Sequence, residues 1–502
     1  MKCLLSKTED FIQRIRWKTL FFLQADNDCS NKETFGFRTD KSAPQIKELT
    51  EFENDLYSII ENLQFSNTKS DFQKRLSADS KKINNSQNVF ILGDKTPNVY
   101  EISPENYKKL LHNNITTHYK KADCNTELEI NREAQQIATD LQIADRVDKM
   151  SQQESFISIK DHKSDFQNNP KTRLINPSKT QIGKISKQYL QEINAKIIQL
   201  TNLNQWNSTN DVINWYNKIQ NKSRMNFLQL DIVDFYPSIT EELLNKSISF
   251  ASDMVDINSN VLKTVKNARK TLLFNNGIPW QKKTGLSDVT QGGLDSCQIC
   301  ELVGLFLLHQ MKESFPMINF GLYRDDGLGC HKRIPGPTLE KIKKEIIQLF
   351  KENKLNITIE TSMKTVDFLD ITLDLVKENY KPYKKTNSEL LYVNNQSNHP
   401  ETVLKQIPNS VNHRLISISS DKSIFDEAKG EYQRSLARSG YDQNLVYPEN
   451  CEVNDQSHNN KKRKRNRKRN ILWYNPPYNA SLKTDFGRQF LKLIKKTLSY
   501  RP

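Results

Sequence analysis

Residues 320–329 read FGLYRDDGLG and place two adjacent aspartates, Asp325 and Asp326, after an apolar stretch. Neighbouring carboxylates in apolar surroundings are costly, because like charges and burial both disfavour ionisation. Glycines on both sides of the pair, Gly321 and Gly327, let the chain turn tightly, and we predict a hairpin with the aspartates at its tip. Divalent cations would stabilise such a pair, and hard oxygen ligands suit Mg²⁺. An exposed turn is the alternative, because aspartates are common in turns.

Two upstream segments give the aspartate pair its context. Residues 227–232 (FLQLDI) form an apolar run suited to a buried strand, with Asp231 near its end. Residues 290–296 (TQGGLDS) lie between the two acidic segments and open an apolar stretch that predicts a buried helix. Carboxylates at the ends of two strands can hold paired metal ions, which activate an attacking hydroxyl and stabilise a leaving oxygen.

The order of these segments resembles the palm motifs of the reverse transcriptases, over about residues 165–375. A strand with an aspartate is followed by Gln-Gly and a helix, then by a Tyr-x-Asp-Asp hairpin, and then by a further helix and strand. The resemblance implies that Asp231 and Asp325 hold two Mg²⁺ ions, with Mn²⁺ as a substitute. It also implies that Asp326 supports these ions and that the main-chain carbonyl of Ile232 is a further ligand.

The same resemblance implies a pocket for the incoming nucleotide. Gln291 and Gly292 would line this pocket, and the missing side chain of the glycine would let the backbone approach the substrate. Upstream, Lys171 and Arg173 resemble the fingers residues that hold the triphosphate, where a bidentate arginine matches phosphate geometry. For Arg173 a merely solvated side chain is an equally weighted alternative.

Two further roles have open alternatives. Tyr236, five positions after Asp231, stands where reverse transcriptases carry the aromatic residue that blocks a ribose 2′-hydroxyl, whereas RNA-dependent RNA polymerases carry a small or acidic residue. The alternative is that Phe235 and Tyr236 are core aromatics. Lys364 would be the motif D lysine that protonates pyrophosphate, and Lys354 competes for that role.

The chain beyond the palm looks like the Penelope-like retroelement reverse transcriptases. Residues 380–385 (YKPYKK) combine phosphate contacts with aromatic surface and suit a primer grip. Arg324, before the aspartate pair, departs from that group. Many of its members carry a GIY-YIG nuclease domain, of which residues 471–502 give no sign. We therefore expect a nuclease supplied in trans, or a truncated or repurposed copy.

Strands and helices alternate without a regular βαβ period, which favours an α+β fold. By the resemblance, this fold is a right-hand polymerase with fingers, palm and thumb, an antiparallel-sheet palm and a mostly helical N-terminal region. The expected organisation is an N-terminal region 1–164, partly disordered before about 85, then fingers and palm 165–375, a thumb-like primer-grip region 376–450, a basic linker 451–470 and a short C-terminal segment 471–502.

The charge of the chain points to a polyanionic partner. Its 502 residues carry 74 Lys+Arg and 59 Asp+Glu, a formal net charge of +15, which is typical of nucleic-acid binding. Eight of these charges lie within nine positions, at Lys461, Lys462, Arg463, Lys464, Arg465, Arg467, Lys468 and Arg469. Such a run cannot pack, so it predicts a nuclear-localisation signal or a nucleic-acid-binding arm. We expect a nuclear protein, with the cytoplasm as a second compartment.

Two classes of protein are disfavoured. No apolar stretch approaches the roughly 20 residues of a membrane span, so no membrane partner is expected. The seven cysteines are too few and too scattered for a disulfide scaffold. Cys297 and Cys300 form a Cys-x-x-Cys pair in an apolar stretch without a second pair, which favours core residues over zinc ligands.

Taken together, the sequence predicts an RNA-directed DNA polymerase of a retroelement, which joins dNTPs to a primer 3′-hydroxyl by two-metal nucleotidyl transfer. Its partners would be an RNA template, a DNA or RNA primer and dNTPs. One rival is an RNA-dependent RNA polymerase, which Tyr236 disfavours. The other is a domesticated nucleic-acid-binding protein without catalysis, which the intact Asp231, Asp325 and Asp326 disfavour.

Overall fold

The computed structural model describes residues 1–23, 35–37, 41–123, 125–161, 166, 170–177, 179–385, 389–448 and 473–498. The helices of this part of the chain are α1 (Lys2–Leu23), α2 (Thr50–Glu61), α3 (Asp71–Asn85), α4 (Pro104–His118), α5 (Thr126–Asp140), α6 (Gln181–Thr201), α7 (Thr209–Asn217), α8 (Phe235–Ser238), α9 (Glu241–Met254), α10 (Ser259–Asn267), α11 (Ser296–Ser314), α12 (Gly336–Glu352), α13 (Glu401–Ser417), α14 (Lys422–Arg438) and α15 (Phe486–Leu498).

The strands are short, and most of them pair antiparallel. They are β1 (Ser66–Asn67), β2 (Val89–Leu92), β3 (Val99–Ile102), β4 (Tyr119–Lys121), β5 (Phe156–Ile159), β6 (Thr172–Ile175), β7 (Asn204–Gln205), β8 (Met225–Ile232), β9 (Leu273–Asn275), β10 (Ile278–Lys282), β11 (Asn319–Tyr323), β12 (Asp326–Lys332), β13 (Ile357–Met363), β14 (Thr365–Phe368), β15 (Ile371–Asp374), β16 (Asn379–Pro382) and β17 (Leu482–Lys483).

A five-stranded sheet forms the centre of the molecule, with the strand order β13-β8-β12-β11-β7. Its neighbours are antiparallel, except that the edge strand β7 runs parallel to β11. β8 is the strand predicted from the apolar run 227–232, and it starts two residues earlier. The predicted antiparallel palm is therefore present, with one parallel strand added at an edge.

Helices cover one face of this palm sheet. Leu228 and Leu230 of β8 pack into one apolar cluster with residues of α6, α9, α11 and α12. α11 lies deepest, and its Ile299, Val303 and Leu307 are fully buried. Burial of this kind contributes roughly 1.5–3 kcal/mol for each large apolar side chain, so the strands that carry the acidic residues rest on a rigid support.

The opposite face of the sheet is covered only in part. Phe227 and Leu328 pack there against Tyr216 of α7 and against the three-stranded sheet β14-β15-β16. Along β8 this cover ends before the carboxyl end of the strand. Gln229 is half-buried, and Asp231, two residues later, is exposed. The carboxyl end of β8 is thus open on this face.

Two β-hairpins lie upstream of the palm. β2 and β3 pair from Val89↔Ile102 to Leu92↔Val99, on either side of the turn at residues 93–98. β5 and β6 form a second hairpin, and an isolated bridge between Gly93 and Ile159 joins the two. Ile91, Ile157 and Leu111 of α4 share one apolar cluster, so the two hairpins and this helix pack as a unit.

After the palm, α13 and α14 pack together around the fully buried Leu415, Phe425 and Leu436. An ion pair between Arg414 of α13 and Asp370 connects these helices to the β14-β15-β16 sheet. This part of the chain therefore has an apolar core of its own and a polar attachment to the palm.

The described residues near the two ends of the chain pack together. Phe11 of α1, Leu56 of α2 and Phe486 of α15 belong to one cluster, and β1 pairs with β17. Of the region before residue 85, which was expected to be partly disordered, the described part is mostly helical (α1, α2 and α3). Within the described residues no helix is long and apolar enough to cross a membrane. The basic run 461–469 and the predicted linker 451–470 lie outside the described residues.

Candidate active site

The site is built first from the register of β8 and β12. Asp231 and Asp326 are directly opposite in this antiparallel pair. The amide of Ile232 donates to the carbonyl of Asp325 over 2.9 Å, so the hydrogen-bonded pair is the next one along. Asp231 and Asp326 therefore form a non-hydrogen-bonded pair, in which side chains approach most closely and share one face. That face is the open one.

Asp325 lies at the tip of the β11–β12 hairpin, as predicted, but the turn differs from the prediction. The positive φ that the tip requires is adopted by Arg324, at +57°, and not by a glycine. Gly321 and Gly327 serve close packing instead: a Cβ at Gly321 would overlap the Trp206 ring, and one at Gly327 would lie 2.6 Å from a Leu230 methyl. These glycines admit neighbouring side chains to the sheet rather than allowing the turn.

The three carboxylates affect one another electrostatically. Burial, then Asp325 and Asp231, raise the pKa of the Asp326 carboxyl to about 6, while Lys95 and Lys385 oppose this rise. Like charges directly opposite on neighbouring strands are destabilising. Asp326, to which the resemblance assigns only a supporting role, thus has surroundings that favour a bound cation.

This raised pKa makes stability depend on pH. Between about pH 4 and pH 6 the folded protein retains a proton on Asp326 that the unfolded chain has lost, so stability falls as pH rises through this window. We expect Asp326→Asn to remove about 2 kcal/mol of this loss. Without divalent cations, the variant should be the more stable protein at pH 8 and should match the wild type at pH 4. Urea unfolding at both pH values measures this.

The exposed Asp253, on α9, provides the control for this prediction. Asp253→Asn should leave the pH profile of stability unchanged. Parallel profiles for wild type and Asp326→Asn would show that the carboxylates do not repel one another in the folded protein.

The donor set fits a divalent cation that also binds substrate. Carboxylates are the ligands that Mg²⁺ prefers, and the excess negative charge around Asp326 favours a cation. Among the described residues, no three His, Cys, Asp or Glu side chains are grouped tightly enough to hold a metal ion by themselves. Mg²⁺ usually takes one or two carboxylates and completes its shell with water and substrate phosphates. Asp231, Asp325, Asp326 and the Ile232 carbonyl are the groups at this end of β8 that would hold it.

Gln291 and Gly292 form a turn that packs against the end of β6. The amide of Asn176 donates to the Gln291 carbonyl over 2.9 Å. Gly292 has φ +121°, and a Cβ there would overlap the carbonyl of Asn176. The sequence predicted that a substrate would approach the backbone of Gly292 closely. In this structure the main chain of Asn176 makes that approach. It fixes the turn to the strand that carries Arg173.

A buried ion pair that the sequence did not reveal supports this turn. Arg269 and Asp295 pair directly, at 3% and 2% side-chain exposure. Asp295 also accepts a hydrogen bond of 2.5 Å from Ser186 of α6. Because Asp295 immediately precedes α11, the pair links the start of that helix to α6 and to the segment after α10. Asp295 stood in the quoted 290–296 motif, but nothing in the sequence pointed to Arg269.

Tyr236 is half-buried beside α11, and its neighbour Phe235 is fully buried. The Tyr236 hydroxyl lies 3.5 Å from the Cys297 sulfur. Burial and the nearby Cys300 and Cys297 raise the pKa of Tyr236, so its hydroxyl stays protonated at neutral pH. Phe235 is a core residue, whereas Tyr236 lies between the core and the open end of β8.

The predicted triphosphate residues lie on β6 or next to it. The Arg173 guanidinium pairs with Asp94 at 2.9 Å, and Asp94 is 5% exposed. The Nε of Arg173 and one oxygen of Asp94 are buried without a hydrogen-bond partner. Lys171 is exposed beside them. Arg173 thus keeps an unused donor but already has an anionic partner.

The structure does not bring Lys364 to the aspartates. Its ammonium donates to the carbonyls of Ser223 and Met225, at 2.9 and 2.6 Å. Met225 begins β8, six residues before Asp231, which corresponds to roughly 20 Å along a strand. Lys364 is therefore a support at the far end of the sheet.

Lys354, the competing candidate, lies at the catalytic end of the sheet. It precedes Asn356, whose carbonyl accepts from the amide of Val233 over 2.9 Å. Its ammonium is paired with Glu242 of α9. Of the two lysines, Lys354 is the one that could reach the site.

Two cations that the sequence did not assign to the site complete it. Lys95, from the turn between β2 and β3, and Lys385, just after β16, both act on the Asp326 carboxyl. Burial and the neighbouring Lys95 lower the pKa of Lys385, and Asp326 opposes this. Lys385 belonged to the predicted primer-grip stretch, whereas Lys95 lies outside the range that the resemblance covered.

These features define a right-hand nucleic-acid polymerase fold of the reverse-transcriptase-like kind. An antiparallel palm carries acidic residues at the end of one strand and at a neighbouring hairpin tip, with a helix after Gln291-Gly292 behind them. The fold predicted from the sequence is confirmed by comparison with solved structures.

Telomerase from Candida albicans, solved with a TWJ fragment of telomeric RNA, has the same fold. The alignment covers 87% of this chain and 84% of that chain at 11% identity, with a TM-score of 0.51. Weaker similarities are to apo telomerase from Candida tropicalis (TM-score 0.46, 8% identity, 87% and 86% covered) and to the RNA-dependent RNA polymerase of a human picobirnavirus (0.44, 11%, 82% and 88%). No family model matches the sequence, and neither does any curated protein.

Proposed function

We propose that this protein is an RNA-directed DNA polymerase of a retroelement. The observation that carries the proposal is the in-register pair Asp231–Asp326 on the open face of a polymerase palm, with Asp325 beside it at the hairpin tip. An acidic pair placed opposite on two strands costs stability, and such a cost persists in a protein where a function requires it.

In the proposed reaction, a primer 3′-hydroxyl attacks the α-phosphate of a dNTP opposite an RNA template. The new phosphodiester bond forms as the bond between the α- and β-phosphates breaks, pyrophosphate leaves, and the hydroxyl proton passes to solvent. Two bound Mg²⁺ ions, or Mn²⁺ in their place, would supply charge neutralisation and a more nucleophilic hydroxyl. Asp231, Asp325 and Asp326 would hold these ions, and Arg173 and Lys171 would orient the triphosphate. Catalysis of this kind is mainly positioning and electrostatic stabilisation.

Template and sugar preference rest on two further observations. The telomeric RNA fragment belongs to the structure of another protein, the Candida albicans telomerase, and the shared fold supports RNA as the template here. Half-buried Tyr236, held beside Cys297, supports selection of dNTPs over rNTPs, because an aromatic ring fixed by the core excludes a 2′-hydroxyl. The Penelope-like order of motifs supports a retroelement origin, with a nuclease in trans, and the run 461–469 supports nuclear import.

Primer extension tests the proposal. Purified full-length protein, an RNA template annealed to a DNA primer, and Mg²⁺ should yield extension with dNTPs, at least tenfold faster than with rNTPs. Extension should stop when EDTA removes the cation and should resume with Mg²⁺ or Mn²⁺. A preference for rNTPs would indicate an RNA polymerase instead. Binding of the duplex with no extension under any of these conditions would indicate a non-catalytic protein.

A further inference from the structure

The second half of the turn between β2 and β3, residues 93–98, is fixed by the carboxylate of Asp161. Asp161 follows β5 and is 6% exposed. It accepts hydrogen bonds from Thr96, from Asn98 at 3.2 Å and from Tyr100 at 2.9 Å. Three donors on one buried carboxylate hold the turn in one position, because charge-assisted hydrogen bonds are the stronger ones.

The first half of the turn is fixed as well. The amide of Asp94 donates to the Ile159 carbonyl over 2.8 Å, and its side chain pairs with Arg173. At Gly93 a Cβ would lie 2.7 Å from an Asp161 oxygen, so the turn and the hairpin have no space between them. Lys95 stands between these two anchored halves.

Lys95 itself is exposed, although its neighbours Asp94 and Thr96 are partly buried. The β5–β6 hairpin to which the turn is fixed lies at the acidic end of β8, because Lys160, directly after β5, pairs with Asp234 at 3.9 Å. Lys95 acts there on Asp326 of the palm and on Lys385 after β16. The turn, which is attached to the β5–β6 hairpin, therefore places a cationic side chain near the carboxylates. Lys95 precedes Asp326 by 231 positions in the sequence, and only the fold brings the two residues together.

The electrostatic surroundings of Lys95 and Lys385 change when substrates bind. Two ammonium groups side by side are unfavourable without anions near them, and the aspartates supply that anionic charge here. If the aspartates are engaged by divalent cations, Lys95 and Lys385 lose these counter-charges. Phosphate groups, which arrive with the nucleotide and with the nucleic acid, would then be the matching partners.

We propose that Lys95 contacts a phosphate group of the bound substrates beside Asp325 and Asp326, so that residues 93–98 are part of the active site. The inference rests on the proposed polymerase function. The phosphate belongs either to the nucleotide triphosphate or to the nucleic-acid backbone, and the same chemistry serves both.

Equilibrium binding to the full chain tests the proposal and separates these two sources. The probes are dTTP with Mg²⁺, and a fluorescein-labelled RNA–DNA duplex with a dideoxy-terminated primer. Lys95→Ala should weaken one of the two affinities about tenfold, as expected for a lost charge-assisted hydrogen bond. For a backbone phosphate, the salt dependence of duplex binding should also fall by about one unit of slope. Lys95→Arg should restore most of the affinity.

Lys81→Ala, which removes an exposed lysine of α3, is the matched control and should leave both affinities unchanged. The proposal is overturned if Lys95→Ala binds both probes within twofold of the wild type. These readouts do not require turnover. A wild-type protein that fails to extend a primer would refute the proposed polymerase activity, while the affinities of Lys95→Ala would still decide the role of Lys95.

Discussion

The double variant Asp325→Ala, Asp326→Ala should lose at least a thousandfold in the rate of primer extension while it still binds the template–primer duplex. Metal ions held by carboxylates neutralise the charge that develops in phosphoryl transfer, and they contribute several kcal/mol to the transition state. Duplex affinity depends instead on cations that face phosphates, so it should stay within about threefold of the wild type. Single-turnover extension and fluorescence anisotropy measure the two quantities on the same preparation.

The fold should tolerate this double change, because the folded protein disfavours the ionised form of the Asp326 carboxyl. Asp253→Asn on α9 is again the control, and it should extend primers at the wild-type rate. Extension by the double variant within tenfold of the wild type would remove these aspartates from the chemistry.

The second large effect concerns the buried pair Arg269–Asp295. Asp295→Ala should lower the free energy of unfolding by about 3–5 kcal/mol, because it leaves the Arg269 guanidinium uncompensated at 3% exposure. The double replacement Arg269→Met, Asp295→Leu should recover much of this loss, since apolar residues of similar size can replace a buried pair. Thermal unfolding of the three proteins gives the comparison.

Hydrogen exchange locates the effect of the Arg269–Asp295 pair. Amides of α6 and at the start of α11 should lose protection in Asp295→Ala, whereas those of α13 and α14 should not. If Asp295→Ala unfolds at the temperature of the wild type, the pair does not hold the start of α11. Weakened protection spread evenly over the chain would argue equally against that role.

The sequence predicted well wherever a pattern is local. The hairpin β2–β3 joins two short stretches typical of strands, residues 89–92 and 99–102, across a turn that contains Pro97. The helix α4 begins at the cap that Ser103 forms, with Pro104 in its first position. The burial of Leu228 and Leu230 in β8, and of most of α11, follows from the apolar runs that contain them. Each of these features depends on residues that are close to one another in sequence, and a local sequence pattern can predict features of that kind.

The arrangement of the site depends on register and on distant contacts, which a pattern does not report. The register of β12 against β8 decides that Asp326, not Asp325, lies opposite Asp231. Lys364 comes directly after β13 and donates to the carbonyl of Met225, at the opposite end of β8 from Asp231. Its position in the sequence does not show which end of the sheet it occupies. The turn that carries Lys95 is positioned by Asp161 and Arg173, both more than 60 positions away in sequence. α15 has an apolar stripe that a periodicity analysis could have found, but its partners in α1 and α2 lie more than 400 positions upstream.

The docking of residues 473–498 on α1 and α2 makes these segments depend on one another. Phe486 and Leu493 of α15 are buried in one apolar cluster with residues of α1 and α2, more than 400 positions upstream. If α15 opens, the apolar faces of α1 and α2 are exposed as well, so amides of all three helices should exchange their hydrogens at the same rate.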